Sequence, residues 1–201
     1  MAIDQGHLSL LALFDVSSAF DMVDHEILLQ RLQLSCGISD IPLLWFKSYL
    51  SDRSQMVVIG DSRSQWVRVR FGVPQGSVLG PILYILYTAD IPLLFAKHTA
   101  IGHLYADDTQ AFVHGSPADQ LSLVSSVDAL AHDLNLWMSS NRLCLNSAKT
   151  QLIWFWTRQQ LLKLDLPLLT DKFPLLLTLP VFEIWVSPST PPLPSPSTSR
   201  I

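Results

Sequence analysis

Three acidic residues stand at the ends of short apolar runs, where carboxylates could serve chemistry. Asp15 directly follows the run Leu8 to Phe14, and Asp107 and Asp108 lie between the runs Ile101 to Tyr105 and Gln110 to Val113. A carboxylate in such surroundings is costly unless a cation neutralises it. Converging carboxylates form the usual site for Mg²⁺, and two such ions can hold the attacking and leaving oxygens of a phosphoryl transfer. The alternative is that Asp15 only ends a strand and the Asp107-Asp108 pair only forms a turn.

The elements that must position these acids alternate between strand and helix patterns. Leu8 to Phe14 is apolar throughout and predicts a strand buried on both faces. The Asp107-Asp108 pair predicts the tip of a hairpin between two short strands. Helices are predicted from Asp24 to Gly37, from Pro42 to Leu50, over Pro81 to Ala89, which is apolar nearly all round, and from Pro117 to Ser139. Further strands are predicted at Gln55 to Gly60 and Gln65 to Phe71, as a hairpin around Asp61-Ser62, and at Leu143 to Leu145 and Gln151 to Trp156. Strands layered with helices indicate an α/β or α+β sheet.

Length and composition limit the class of protein. The chain has 201 residues, 49% of them hydrophobic, which suits one compact domain. Two isolated cysteines and no basic leader predict an intracellular protein of the nucleus or cytoplasm that is not secreted. The stretch Pro174 to Val186 is too short and too interrupted by proline to span a bilayer, so no membrane partner is expected. The net charge of −4 is unfavourable for phosphate binding, unless parts that grip nucleic acid are missing.

Four motifs occur in an order that resembles one enzyme family. They are Phe14-Asp15-Val16-Ser17-Ser18-Ala19-Phe20-Asp21, Phe71-Gly72-Val73-Pro74-Gln75-Gly76-Ser77-Val78-Leu79-Gly80-Pro81, Tyr105-Ala106-Asp107-Asp108 and Leu145-Asn146-Ser147-Ala148-Lys149-Thr150. They resemble motifs A, B, C and D of reverse transcriptases, and most of all the jockey-like branch of LINE-type (non-LTR) retrotransposon polymerases. The resemblance covers about residues 8 to 170. It implies an α+β polymerase palm, an antiparallel sheet packed against helices, with incomplete fingers and no thumb.

The resemblance also implies roles. Asp15, Asp107 and Asp108 would hold two Mg²⁺ ions, with Mn²⁺ as an alternative, and Lys149 would act at the pyrophosphate as a general acid or electrostatic stabiliser. Phe20 would exclude a ribose 2′-hydroxyl. The substrate-binding residues of motif B would be Gly72 and Gly76, which permit close backbone approach, and Gln75, which offers an amide. Ser77 could cap the following helix. The plainer alternatives are core packing for Phe20, a loop-to-helix turn for motif B and a solvated surface lysine for Lys149. The implied partners are an RNA template, a DNA primer and a deoxynucleoside triphosphate.

Two regions of the chain are expected to differ. Residues 1–164 are interpreted as the palm with partial fingers, the latter between Asp24 and Phe71. Residues 165–201 are interpreted as a divergent, disordered tail, because Pro188 to Ser199 is almost entirely Pro, Ser and Thr. Phe182 to Thr190 reads like a family stretch translated one base out of frame, which suggests a frame-shifted copy.

Alternatives to an active polymerase remain open. Without fingers and thumb a primer and template are poorly held in line, so the isolated chain is expected to be inactive or feeble. One alternative is therefore a catalytically inactive retrotransposon remnant that at most binds nucleic acid or a partner. Another is a different palm-type enzyme such as a nucleotide cyclase, against which the Val73 to Ser77 stretch argues.

Overall fold

The computed structural model describes residues 6–156 and a strand at 182–186. Its helices are α1 (His25–Leu34), α2 (Asp40–Leu50), α3 (Leu79–Tyr87), α4 (Ile91–Lys97) and α5 (Gln120–Ser140), with a 3-10 turn at Pro117–Asp119 before α5. Its strands are β1 (Leu8–Phe14), β2 (Ser54–Gln55), β3 (Val58–Ile59), β4 (Ser62–Arg63), β5 (Val67–Arg68), β6 (Ile101–Tyr105), β7 (Asp108–Gly115), β8 (Gln151–Trp156) and β9 (Phe182–Val186).

The main sheet has five strands in the order β6-β7-β1-β8-β9. β1 lies at the centre and pairs antiparallel with β7 and with β8, while β6 and β7 form an antiparallel hairpin. The register places Phe14 opposite Thr109. β1, which ends just before Asp15, therefore adjoins β7, which begins at Asp108.

One face of this sheet is covered by helices. Along β1 the residues Leu8, Leu10, Ala12 and Phe14 are buried, whereas Ser9, Leu11 and Leu13 are half-buried. The expectation that β1 is buried on both faces is wrong for the face that carries Ser9, Leu11 and Leu13, whose side chains stay partly accessible. α5 contributes Leu123, Val124, Val127, Leu130, Leu134 and Met138 to the core. Full burial of such side chains contributes about 1.5–3 kcal/mol each.

α1 begins where the sequence predicts. Asp24 has extended backbone and its carboxylate accepts hydrogen bonds from the backbone N–H groups of Glu26 and Ile27, at 2.9 and 3.0 Å. These bonds satisfy donors that the first helical turn leaves without partners. Gly37 follows the helix with φ +68°, as expected for a glycine stop signal.

α3 is less buried than its sequence predicts. Leu83, Tyr84 and Tyr87 are buried, but Ile82 and Ile85 are 50% and 57% exposed. The expectation of burial all round is therefore wrong: α3 packs against α1 on one side, and its other side faces solvent among the described residues. The run Leu79–Lys97 is long and apolar enough to cross a membrane by length and composition alone. The fold divides that run into α3 and α4, and 39% of its apolar 18-residue stretch is buried.

The smaller elements follow the sequence with local differences. The hairpin between Gln55 and Phe71 forms as two short ladders, β3 with β4 and β2 with β5. Leu143 to Leu145 is not a strand, since only Leu145 makes a single bridge, to Val16. β9 pairs parallel to β8 and lies within residues 165–201, so the expected disorder does not describe Phe182–Val186. The rest of that tail lies outside the described residues.

Candidate active site

A tight hairpin presents the two neighbouring acids. β6 and β7 are joined by the two-residue turn Ala106-Asp107, and Tyr105 pairs with Asp108 across it. Ala106 takes the left-handed conformation with φ +54°, which such short hairpin turns require. Asp107 therefore stands at the hairpin tip, and Asp108 is the first residue of β7.

Asp15 and Asp108 meet at one pocket. Phe14 and Thr109 lie opposite each other on paired strands, and both are buried. Because side chains alternate along a strand, Asp15, which follows Phe14, and Asp108, which precedes Thr109, point away from the core. Asp15 and Asp108 accordingly line the same open pocket of about 390 Å³, together with Leu13, Phe14, Ala148, Lys149 and Gln151. The structure thus joins motifs A, C and D in one place.

Asp107 takes a different position from its neighbour. It does not line that pocket, and its negative charge acts instead on Tyr84 of α3. Burial, and secondarily the charge of Asp107, raise the pKa of the Tyr84 phenol well above its ordinary value. Within the described residues no group of three or more His, Cys, Asp or Glu side chains lies close enough to hold a metal ion. The fold therefore brings two of the three expected acids together and leaves the third on the helix side of the hairpin.

Lys149 lies at the same pocket because its loop is tied to the end of β1. The backbone N–H of Asn146 donates to the carbonyl of Asp15 at 2.8 Å, and that of Ser17 donates to the carbonyl of Cys144 at 2.9 Å. The Lys149 Nζ comes within 3.6 Å of Asp15 Oδ2, with the side chains 68% and 30% exposed respectively. Exposed ion pairs of this kind are weak, so Lys149 can leave Asp15 at little free-energy cost.

Main-chain hydrogen bonds attach motif B to motif A. The N–H of Gly72 donates to the carbonyl of Val23 at 2.7 Å, and the N–H of Val73 donates to that of Phe20 at 2.9 Å. Gly72 has φ +84°, and a Cβ there would lie 2.8 Å from the carbonyl oxygen of Asp21. Glycine is thus required at Gly72 for two separate reasons, its backbone conformation and this close approach.

Side chains add to this attachment at points that sequence reasoning missed. Arg53 Nη1 donates to the carbonyl oxygen of Gly72 at 2.9 Å, and His25 Nε2 lies 2.8 Å from the same oxygen. The Gln75 amide donates to Asp21 Oδ1 at 2.9 Å. Asp21 belongs to motif A but had no assigned role, and its place in that motif was the one indication in the sequence that it could contact motif B. Arg53 and His25 had no assigned role either, because their contacts with Gly72 join residues far apart in the sequence.

Ser77 serves the start of α3, as expected of a capping residue. Its Oγ accepts a hydrogen bond from the N–H of Gly80 at 3.0 Å and donates to the carbonyl of Pro74 at 2.7 Å. Gly76, one residue earlier, has φ +76°, and a Cβ there would have no neighbour within 4 Å. The motif B loop is therefore a hydrogen-bonded turn that leads into α3, and Gln75 is exposed beside it.

Comparison with known proteins identifies the family. The family model described as "Reverse transcriptase (RNA-dependent DNA polymerase)" matches residues 2–169. The chain belongs to the reverse transcriptase family. Drosophila melanogaster supplies one relative, the probable RNA-directed DNA polymerase from transposon BS, 42% identical over 99 residues. A second is the RNA-directed DNA polymerase from mobile element jockey of the same species, 27% identical over 168 residues. Its counterpart from Drosophila funebris is 30% identical over 149 residues. The expected jockey-like resemblance is confirmed.

Coverage differs greatly between this reverse transcriptase chain and its relatives. The three alignments span 47%, 78% and 70% of this chain but only 11%, 17% and 16% of the relatives. The apo telomerase of Candida tropicalis, truncated from its C-terminal domain, superposes with a TM-score of 0.55 at 16% identity. That match covers 73% of this chain and 31% of the telomerase. It supports the α+β, palm-like fold.

The reverse transcriptase family is generally metal-dependent, and the donors at the pocket suit a hard divalent cation. Two carboxylates, those of Asp15 and Asp108, line it, and carboxylate oxygens are the ligands that Mg²⁺ prefers. The ammonium of Lys149 lies 3.6 Å from Asp15 Oδ2, so Asp15 already interacts with a positive charge in this pocket. The residues present therefore fit such an ion.

Proposed function

We propose that this chain is the nucleotidyl-transfer core of an RNA-directed DNA polymerase of a LINE-type retrotransposon. It would extend a DNA primer on an RNA template with deoxynucleoside triphosphates. The meeting of Asp15, Asp108 and Lys149 at one pocket carries the proposal, because three motifs that are far apart in the sequence converge there. That convergence is unexplained if each residue is merely a strand end, a turn or a surface lysine.

The proposed division of labour follows from position. Asp15, Asp107 and Asp108 are the ligands for two Mg²⁺ ions, or Mn²⁺ in their place; the first and last share the pocket, and Asp107 stands at the hairpin tip. When bound, such ions lower the pKa of the primer 3′-hydroxyl and neutralise charge on the triphosphate. Lys149, once released from Asp15, supplies positive charge to the departing pyrophosphate.

The substrate side of the pocket is assigned to motifs A and B. Phe20 lies beneath the sugar and excludes a 2′-hydroxyl, since a ring leaves no room for the additional oxygen. Gly72 and Gly76 keep the loop free of side chains where the backbone approaches the nucleotide and template. Gln75 offers its amide, and the hydrogen bond to Asp21 sets the orientation of that amide before substrate arrives.

Primer extension tests the proposal. The chain is incubated with a DNA primer on an RNA template, deoxynucleotides and Mg²⁺, with Mn²⁺ or EDTA in parallel. Weak but measurable extension is expected with either metal, because the isolated chain holds primer and template poorly, and none with EDTA. Asp15→Ala and Asp107→Ala are each expected to reduce the rate by about a hundredfold or more, the order found when a charge-stabilising group is removed. Asp128→Ala, on α5, is the matched control and should extend as the unaltered chain does.

A second function, a catalytically inactive remnant that binds nucleic acid or a partner, is favoured by one observation. The described residues do not assemble the three acids into a single metal-holding group. The two functions are separated by measuring primer-template binding and extension on the same sample. Binding without extension, unchanged in Asp107→Ala, supports the remnant. Extension lost in that variant, with binding retained, supports the polymerase.

We also propose that the chain resides inside the cell, in the nucleus or cytoplasm. Cys36 and Cys144 are both exposed and free, which suits a reducing compartment. Cell fractionation with an epitope-tagged chain tests this, and recovery from the medium would contradict it.

A further inference from the structure

The aromatic ring of Tyr84 packs against the ring of Phe20. It lies on the buried face of α3 and is 1% exposed. Its ring and that of Phe20 have centroids 5.0 Å apart and planes inclined by 35°, within the range where aromatic pairs attract beyond their area of contact. The half-buried Phe20 packs against the core, of which Tyr84 is a member.

Backbone and side chain of Phe20 are held by different means. The hydrogen bond from the Val73 N–H to the Phe20 carbonyl fixes the main chain. It does not fix the ring, which rotates about two side-chain bonds. The ring's position therefore depends on what fills the space beneath it, and Tyr84 fills that space. A smaller residue at Tyr84 would leave a cavity into which the Phe20 ring could turn.

The charge of Asp107, in the hairpin between β6 and β7, also acts on Tyr84. Burial, and secondarily the charge of Asp107, raise the pKa of the Tyr84 phenol above its ordinary value. One side chain of α3 thus contacts motif A and lies close to motif C.

We propose that Tyr84 is the positioning residue that holds the Phe20 ring against the sugar of the incoming nucleotide, and so sets discrimination between deoxyribonucleotides and ribonucleotides. This rests on the proposed polymerase function and on the role of Phe20 within it. The aromatic ring carries the effect through its contact with Phe20, and the hydroxyl is secondary. Tyr84 acts through Phe20 and does not touch the substrate.

The test compares the efficiency of primer extension with dATP and with ATP. Tyr84→Leu is expected to lower the preference for dATP about tenfold, as expected when an aromatic contact is lost. Tyr84→Phe keeps the ring and should retain the preference. Tyr87→Phe is the matched control: Tyr87 is buried three residues later on α3, but its hydroxyl donates to the Asn141 carbonyl. It should lose stability and keep discrimination. Phe20→Ala is the positive control and should lose most of the preference.

The outcomes separate this inference from the proposed function. If Phe20→Ala lowers discrimination and Tyr84→Leu does not, the role of Tyr84 is overturned while the polymerase stands. If Phe20→Ala has no effect, the assignment of Phe20 itself fails. A double-mutant cycle on the unfolding midpoints of Phe20→Ala, Tyr84→Leu and the double variant decides the contact without any activity. Non-additive midpoints support the packing on which the inference depends, and strictly additive midpoints overturn it even if the chain extends no primer.

Discussion

Gly72→Ala should destabilise this protein far more than Gly76→Ala, although both glycines belong to motif B and both have positive φ. Their φ values are +84° and +76°, so the left-handed conformation costs a non-glycine residue about 1–2 kcal/mol at either position. The gain from restricting the unfolded chain is also common to the two substitutions. Only the surroundings of the new Cβ differ.

Those surroundings set the size of the difference. At Gly72 the Cβ would lie 2.8 Å from the oxygen and 2.9 Å from the Cα of Asp21, both backbone atoms held in a hydrogen-bonded segment. At Gly76 it would meet nothing within 4 Å. Overpacking of this kind costs about 1–3 kcal/mol. The free energy of unfolding should therefore fall by about 2–5 kcal/mol for Gly72→Ala, against about 1–2 kcal/mol for Gly76→Ala.

Urea unfolding followed by tryptophan fluorescence measures both values, with Gly37→Ala as a third variant. Gly37 has φ +68° and open space around its Cβ, and it lies outside the motif B loop. It should therefore behave like Gly76. Equal losses of unfolding free energy for Gly72→Ala and Gly76→Ala would refute the conclusion that motif B packs directly against the main chain of motif A. A loss at Gly37 matching that at Gly72 would show that backbone conformation accounts for the whole effect.

Three further predictions concern single side chains. Asp24→Ala removes the helix cap of α1 and should lower the free energy of unfolding by about 0.5–2 kcal/mol in the same assay. Lys149→Met removes the positive charge beside Asp15 and should tighten Mn²⁺ binding there about two- to fivefold, because unit charges 4 Å apart interact by about 1 kcal/mol in water. Calorimetry measures this affinity, and an unchanged value would contradict the pairing of Lys149 with Asp15. Asp133 accepts hydrogen bonds from Lys97 and His98, which hold its pKa below the ordinary 3.8. The ionised Asp133 therefore adds to the free energy of unfolding above that pH, and this stabilisation is lost as the pH falls through the lowered pKa. Asp133→Asn should accordingly weaken the dependence of the unfolding free energy on pH in the acid range.

Local patterns located the elements well. β1 is predicted from one apolar run that ends at an acid, α1 from a capping residue and a glycine, and the hairpin of β6 and β7 from two short runs around Asp107-Asp108. Each of these signals is contained within a few residues, and each reflects a physical rule that acts over the same distance. The order of the four motifs then indicated the family, which the comparison confirms.

Contacts between distant segments could not be predicted in the same way. The apolar character of α3 shows which residues can be buried, but it does not show that a covering element is present, and Ile82 and Ile85 are consequently exposed. The bonds of Arg53 and His25 to Gly72 join residues that no sequence spacing relates. By contrast, Asp107 belongs to the hairpin turn and Asp108 to the strand that follows, so their different surroundings could have been anticipated once the hairpin was assigned.

The bonds that join Gly72 and Val73 to Val23 and Phe20 are made by peptide groups, which nearly every amino acid carries. Replacement of Val73, Val23 or Phe20, proline at Val73 aside, therefore leaves these bonds chemically intact, whereas position 72 requires glycine. A copy of this gene that drifts without selection would lose its carboxylates or its lysine to single base changes, while the arrangement of the loops around them endured. Retention of shape is consequently a poor guide to retained catalysis in such chains, and the identities of the proposed metal ligands at positions 15, 107 and 108 are a better one.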